Sequence, residues 1–286
     1  MYYVLYNPIA GNGQGKAAAA KIKDFISEGI EMVDITKVDY KDLFAKCAPD
    51  DKIVLCGGDG TLNRFINETE DVRTGVSILF FAGGSGNDFL RDLDKTPPCE
   101  PFDIGKYIVD LPEVEVRGKK YKFLNGVGYG IDGYCCEEGD KLRATTDKPI
   151  NYASIAIKGL LGKFKPANAT VTVDGVKYTY KKVWLAPAMN GRYYGGGMKI
   201  APDQDRLNPE RRISTVIFYG SGKLKTLMIF PGIFKGKHIE HKKNVVVHTG
   251  YDITVEFDKP TALQIDGETI TGVTSYRARS SKLVNL

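Results

Sequence analysis

Three times before Leu90, a short apolar run empties into a cluster of glycines. YYVLY (2–6) is followed by Asn7-Pro8-Ile9-Ala10-Gly11-Asn12-Gly13-Gln14-Gly15-Lys16. KIVLC (52–56) is followed by Gly57-Gly58-Asp59-Gly60-Thr61, and VSILFF (76–81) leads into Gly83-Gly84-Ser85-Gly86-Asn87-Asp88-Phe89. A short apolar run bounded by a turn signal reads as a buried strand. Residues 30–34 fit a further strand, and 16–28, 39–47 and 61–70 read as helices. Strands alternating with helices predict a parallel sheet covered by helices. The clusters then share the edge of the sheet at which open α/β folds bind ligands.

Bare backbone amides at a helix N-terminus attract phosphate, and glycine lets an anion come close. The first cluster is not a P-loop, because Ala10 stands five residues before Gly15 and Ala17 stands where Ser or Thr would reach magnesium. By itself it fits an ordinary strand-to-helix turn as readily as a phosphate cradle. The second cluster is more specific. Its glycines would let the backbone press on an anion while Asp59 is held where a magnesium–phosphate complex could sit, and a helix starting at Thr61 would add its dipole. The competing reading makes Asp59 a helix cap in a glycine-rich turn.

The pattern changes near residue 105. Segments 113–117, 120–124, 168–173, 177–186, 213–219, 244–248, 252–257 and 261–265 are short and rich in β-branched or aromatic residues. They predict a largely antiparallel sheet domain, with 150–165 as its helical exception. The 286 residues also fit two domains.

Composition removes several classes. Gly is 32 of 286 but clustered, which excludes collagen; 42% apolar and 26% charged residues exclude whole-chain disorder. No run approaches the roughly 20 apolar residues of a membrane-spanning helix. The N-terminus has no basic region before its apolar run, so a cytoplasmic chain without a signal peptide is expected. Five cysteines, an odd number without C-x-x-C spacing, read as reduced thiols, and three histidines argue against a His-based metal site. A net charge of +5 is mild for nucleic acid and compatible with an anionic surface. In 223–243, KLKTLMIFPGIFKGKHIEHKK, six Lys and one Glu surround an apolar run. Two readings stand: a segment at an anionic membrane interface, or a core helix with solvated Lys ends. Residues 158–165, KGLLGKFK, are a weaker second candidate.

The clusters together resemble the catalytic domain of the diacylglycerol kinases and related bacterial lipid kinases. Gly57-Gly58-Asp59-Gly60-Thr61, Asn7-Pro8 with Gly11, and Gly84-Ser85-Gly86-Asn87-Asp88-Phe89 carry the likeness. Asp103-Ile104-Gly105, Asn125 with Gly128 and Gly130, Asn190 before Tyr194-Gly195-Gly196-Gly197, Ile200-Ala201-Pro202 and Asp266-Gly267-Glu268 extend it along nearly the whole chain. The second cluster is shared with NAD kinases and 6-phosphofructokinases; the third cluster and the late Asp-Gly-Glu specify the lipid-kinase branch.

The resemblance implies an N-terminal three-layer α/β nucleotide-binding domain (1–110, with the tail 276–286 returning to it) and a C-terminal, mainly antiparallel β-sandwich domain (111–275), with a cleft between them. It implies ATP contacts at Asn7, Gly11, Gly57, Gly58, Gly60, Thr61, Gly84, Ser85 and Asn87. Asp59, Asp88 and Asp103 would form an acidic network around the nucleotide's Mg2+, and Glu268 would accept the proton of a lipid hydroxyl. It further implies a lipid substrate at a membrane surface, peripheral membrane contact, a possible homodimer and no nucleic-acid partner. Two positions depart from the pattern. Arg64 replaces a usual Glu, and Asn208-Pro209 replaces the Asp-Gly pair that helps bind a structural magnesium, which puts that metal site in doubt. The leading expectation is transfer of the ATP γ-phosphate to diacylglycerol or a related lipid. The alternatives are an NAD kinase-like reaction on a soluble acceptor and a non-catalytic nucleotide or lipid binder.

Overall fold

The apolar runs before the glycine clusters lie side by side in a parallel sheet. The computed structural model describes residues 1–73, 75–84, 86–146, 150–162 and 164–284, and the chain divides into two units, Met1–Asp110 and Leu111–Leu286. Among the described residues, the first unit holds β1 (Tyr2–Tyr6), β2 (Ile30–Asp34), β3 (Lys52–Gly57), β4 (Ser77–Ala82) and β5 (Phe102–Asp103), in the order β2-β1-β3-β4-β5. The first four are parallel and β5 is an antiparallel edge. Val4, Leu5, Ile53, Val54 and Leu55 of the central strands are fully buried, as continuous apolar strands of a parallel sheet must be.

The helices of this unit are α1 (Ala10–Gly13), α2 (Gly15–Ala20), α3 (Tyr40–Lys46), α4 (Asp59–Thr69), α5 (Asp88–Asp92) and α6 (Gly105–Ile108). Asp39 caps α3 by accepting the amides of Lys41 and Asp42. The helix expected over 16–28 is shorter than its composition implies. It stops at Ala20 and tightens into a 3-10 turn, Lys21–Asp24. Its buried residues are Gly15, Ala19 and Ile22, too little apolar contact to hold a longer helix. The helix after the second cluster begins at Asp59, two residues before the expected start.

The second unit is built on β6 (Glu113–Val116), β7 (Lys119–Lys122), β8 (Gly126–Tyr129), β9 (Ala167–Val173), β10 (Val176–Val183), β11 (Ala188–Met189), β12 (Ile213–Phe218), β13 (Val245–Gly250), β14 (Asp252–Ile265) and β15 (Glu268–Arg279). The strand pairs are antiparallel. The two runs expected at 252–257 and 261–265 are one strand. The first half of β14 pairs with β9 and the second half with β8, and the register shifts between them, around Pro260. Proline has no amide to give a ladder, so a bulge is where a strand tolerates it. The hairpins β9–β10 and β14–β15 turn on Asp174-Gly175 and Asp266-Gly267, all four at positive φ, the requirement of a two-residue hairpin turn. The core between the strands contains Phe123, Tyr129, Val171, Leu263 and Tyr276.

This unit carries more helix than expected. Besides α8 (Tyr152–Leu161) it has α7 (Ile131–Arg143), α9 (Lys223–Ile229) followed by a 3-10 turn (Phe230–Lys235), and α10 (Ser281–Val284). Helix α7 hides from periodicity because it packs through small residues. A Cβ on Gly133 would strike the Ala262 carbonyl, and one on Gly139 the Tyr152 ring. The C-terminal segment groups with the second unit instead of returning to the first. Strand β15 ends in that unit's sheet, the Ser280 amide donates to the Tyr251 carbonyl, and the Ser280 hydroxyl donates to that of Arg211.

Candidate functional site

In the first unit, the register sets Tyr6 beside Cys56 and Gly57 beside Ala82. The three glycine clusters therefore leave the sheet at one edge. Asn7 makes a local turn there, its side-chain oxygen accepting the Ile9 amide and its carbonyl the Ala10 amide; Gly11 follows in α1. The second and third clusters are locked together. A Cβ on Gly58 would lie 2.7 Å from the Gly86 carbonyl oxygen, and one on Gly84 would lie 2.5 Å from the Gly58 nitrogen. These glycines are needed because backbone packs on backbone.

Asp59 completes the lock. Its carboxylate is buried and accepts the amides of Asp88 (2.8 Å) and Phe89 (3.0 Å), while its own amide donates to the Gly86 carbonyl. The carboxylate thus sits at the N-terminus of α5, where its charge is favoured. The first carbonyl to accept within α4 is that of Gly58, from Leu62. The amides of Gly60 and Thr61 belong to the first turn, where a helix has no carbonyl to offer them. Gly60 is exposed, has an ordinary φ, and a Cβ there would meet nothing within 4 Å. Packing and backbone geometry leave its identity unexplained, and the open first turn has room for an anion.

The other expected site residues fall as follows. The Asn87 side chain donates to the Gly84 carbonyl at 3.4 Å, within the same loop pair, and Asp88 is buried with Arg91 3.4 Å away. Ser85 lies outside the described residues. Asp103 does not join Asp59 and Asp88. It pairs with Leu79, accepts the Ser77 hydroxyl (2.7 Å) and the Gly105 amide (2.8 Å), and so stands at the start of β4. The glycine cluster lies beyond the other end of that strand, roughly 15 Å away. Arg64 is paired with Glu68 one turn along α4.

Among the described residues, no group of three or more His, Cys, Asp or Glu side chains is placed to hold a metal ion. The Asn208 loop does not fit a structural magnesium either. The Asn208 amide nitrogen donates to the carbonyls of Asp205 (2.6 Å) and Arg212 (3.0 Å), and its oxygen accepts the Arg212 amide (2.9 Å). Carbonyls that a hard cation would collect are gathered by an amide. The first-turn site of α4 does fit a nucleotide phosphate, which carries its own magnesium.

The second unit contributes an apolar pocket walled by α7 and α8, lined in part by Ile131, Ala156, Leu185, Met198, Phe230 and Phe234. Polar groups in its lining are few: Asp132, Tyr152, Tyr194, Gln264 and two thiols. The Asp132 carboxylate has the Tyr194 hydroxyl and backbone amides beside it, but neither of its oxygens makes a hydrogen bond of good geometry among the described residues. Burial pushes the Asp132 carboxyl up to about 6, although the nearby Tyr194 hydroxyl and backbone amides pull the other way. Burial raises Tyr194 well above its ordinary value too, and the Asp132 charge adds to it.

Glu268 is exposed and opens β15, directly after the turn. Burial first, then Asp132 and more weakly other charges including Glu268, push the pocket thiol Cys136 up to about 12. Asp266, in the turn before Glu268, is structural: its buried carboxylate accepts the amides of Leu124 (2.5 Å), Asn125 (2.8 Å) and Gly126 (2.9 Å). Asp132 and Gln264 were not singled out in the sequence. A lone Asp inside Gly130-Ile131-Asp132-Gly133-Tyr134 was the available signal.

Comparison with known proteins agrees with this architecture. Residues 1–110 match the diacylglycerol kinase catalytic domain, and residues 125–281, more than half of the chain, match the YegS C-terminal NAD kinase beta sandwich-like domain. The chain belongs to the diacylglycerol kinase catalytic-domain family, a family of lipid kinases. It is 27% identical over 249 residues to the diacylglycerol kinase of Mycobacterium tuberculosis (strain CDC 1551 / Oshkosh), covering 82% of this chain and 79% of that protein. The fold is also that of a diacylglycerol kinase crystal structure from Bacillus anthracis str. Sterne, with a TM-score of 0.60 at 18% identity over 98% of this chain and 94% of the other.

Two measurements check this geometry. Asp132 holds its proton more tightly folded, near pH 6, than unfolded, near 4. Its stabilising contribution is complete below about pH 4 and is lost as pH rises through 6. Asp132→Asn should therefore gain on the wild type by up to about 3 kcal/mol between pH 4 and 7 in urea unfolding. Burial of His238, lowered to about 4, tilts both proteins equally the other way; parallel curves would refute the assignment. Excess EDTA should leave the wild-type melting temperature unchanged. Asn208→Asp should lose about 1–3 kcal/mol by breaking the carbonyl bridge, and magnesium should restore part of it only in that variant.

Proposed function

We propose that this protein is an ATP-dependent kinase that phosphorylates the hydroxyl of a diacylglycerol or a related lipid. The observation that carries the reading is the apolar pocket of the second unit: a soluble dinucleotide acceptor has no use for walls of Ile, Leu, Met and Phe. The locked loops and the first turn of α4 suit the phosphates of ATP. Asn7, Gly11, Gly57, Gly58, Gly60, Thr61, Gly84, Ser85 and Asn87 are the residues that would contact the nucleotide. Asp59 and Asp88 are the carboxylates that would lie beside those phosphates. Magnesium, bound through the nucleotide, would neutralise charge on the transferring group.

In the reaction, the lipid hydroxyl oxygen forms a bond to the γ-phosphorus while the bond to the β,γ-bridging oxygen breaks and ADP departs. The hydroxyl proton passes to Glu268. The chain's own contribution is positioning and exclusion of water, since phosphoryl transfer asks little covalent help of a protein. A relative's name supports the substrate class: the M. tuberculosis protein, 27% identical, is named a diacylglycerol kinase.

Glu268→Gln should lower kcat on diacylglycerol in mixed micelles by about 10²–10⁴-fold, the usual cost of removing a general base, with ATP affinity unchanged. A variant that loses ATP affinity at undiminished kcat would remove Glu268 from the chemistry.

A further inference from the structure

Two neighbouring helices of the second unit turn large apolar side chains outward. On α8, Ile157 is 44% exposed and Leu161 58%; on α9, Leu224 is 73% exposed and Met228 69%. Each pair is spaced i, i+4, so each forms a stripe along one helix face. The α9 stripe continues into the following 3-10 turn through Phe234, which is 41% exposed. The Lys223 ammonium donates to the carbonyls of Leu161 (3.1 Å) and Gly162 (3.0 Å), tying the start of α9 to the end of α8. The two stripes therefore belong to one surface.

Scattered exposed apolar residues need no explanation, but a contiguous group does. Lys158, Lys225, Lys235 and Lys237 are exposed on the same two segments, and the acidic residue of the α9 segment, Glu240, lies at its far end. Apolar tips inside a basic border are complementary to a bilayer with anionic headgroups: the tips enter the headgroup–acyl boundary and the ammonium groups meet phosphate. A protein partner would also accept the apolar tips, but the exposed Lys158, Lys225, Lys235 and Lys237 that accompany them are all cationic and suit anionic headgroups. Phe234 and Ala156 line the apolar pocket while their neighbours Lys235 and Ile157 lie on the exposed face. The pocket wall and the exposed face thus share the same two segments.

We propose that the face formed by Ile157 and Leu161 of α8 with Leu224, Met228 and Phe234 is a docking surface for an anionic lipid bilayer, and that a lipid reaches the pocket from there. The site of entry rests on the lipid-kinase reading; the docking does not. The two sequence readings of 223–243 are then both met, since Thr226, Ile229 and Phe230 are buried beneath the exposed residues.

The test is co-sedimentation with vesicles of phosphatidylcholine alone or mixed with phosphatidylglycerol, comparing the wild type with Leu224→Asp/Met228→Asp. Both positions are exposed and outside the pocket lining, so circular dichroism and turnover of lipid dispersed in detergent should match the wild type. The wild type should bind the mixed vesicles, less so at high salt, and the variant at least about tenfold more weakly. Equal binding of the two proteins, or binding indifferent to phosphatidylglycerol, would overturn the proposal. So would a wild-type dimer that the variant disperses without any vesicle binding, because the face would then cover a second copy. Vesicle binding lost in the variant, with no lipid phosphorylated by either protein, would uphold the docking surface and refute the kinase reading alone.

Discussion

Both oxygens of the Asp59 carboxylate are committed to the backbone of the next glycine loop. That commitment joins two loops from two strands into one body. Gly58 and Gly84 allow the loops to touch, and Asp59 fixes them at the N-terminus of α5. What remains open is the first turn of α4, with its amides and the unhindered Gly60. The site proposed for the nucleotide phosphates is thus what the lock leaves unoccupied by protein. The two readings of Asp59 in the sequence, a helix cap and a residue at the phosphates, need not compete: a carboxylate immobilised by two amides is also a charge of fixed position.

The second unit treats two buried aspartates in opposite ways. Asp266 accepts three amides and holds the hairpin against residues 124–126. Asp132 stands in the wall of an apolar pocket with only the Tyr194 hydroxyl and poorly aligned amides beside it, and burial lifts its carboxyl toward neutral pH. The first is a structural brace that sets the direction in which Glu268 leaves the turn. The second costs stability when charged, and a group kept at that cost in a cavity wall is a candidate for recognising a polar part of a lipid.

Much of this was legible in the sequence. Strands β1, β3 and β4 are continuous apolar runs, and the turns Asp174-Gly175 and Asp266-Gly267 are written in residues that tolerate positive φ. The parallel sheet and the antiparallel second unit follow from those. Helix α7 was not legible, because Gly133 and Gly139 serve contacts that leave no apolar period. Asp103 looked like a partner of Asp59 because the two share a family pattern. Its pairing with Leu79 across an antiparallel edge turns it toward Ser77 and away from the glycine clusters. The Asn208 change was visible as a lost charge; only the structure shows that its amide bridges the two carbonyls.

Gly60 gives the most direct test of the central claim. Replacing it by Ala adds a methyl group where the protein has nothing, so the fold should keep its stability or gain slightly from better helix propensity. The measurement is magnesium-dependent transfer of radiolabelled γ-phosphate from ATP into a total lipid extract, with NAD as the competing acceptor. The account predicts a labelled lipid with the wild type, no label in NAD, and loss of the lipid label with a normally folded Gly60→Ala protein. Label in NAD alone, or a Gly60→Ala protein as active as the wild type, would contradict it.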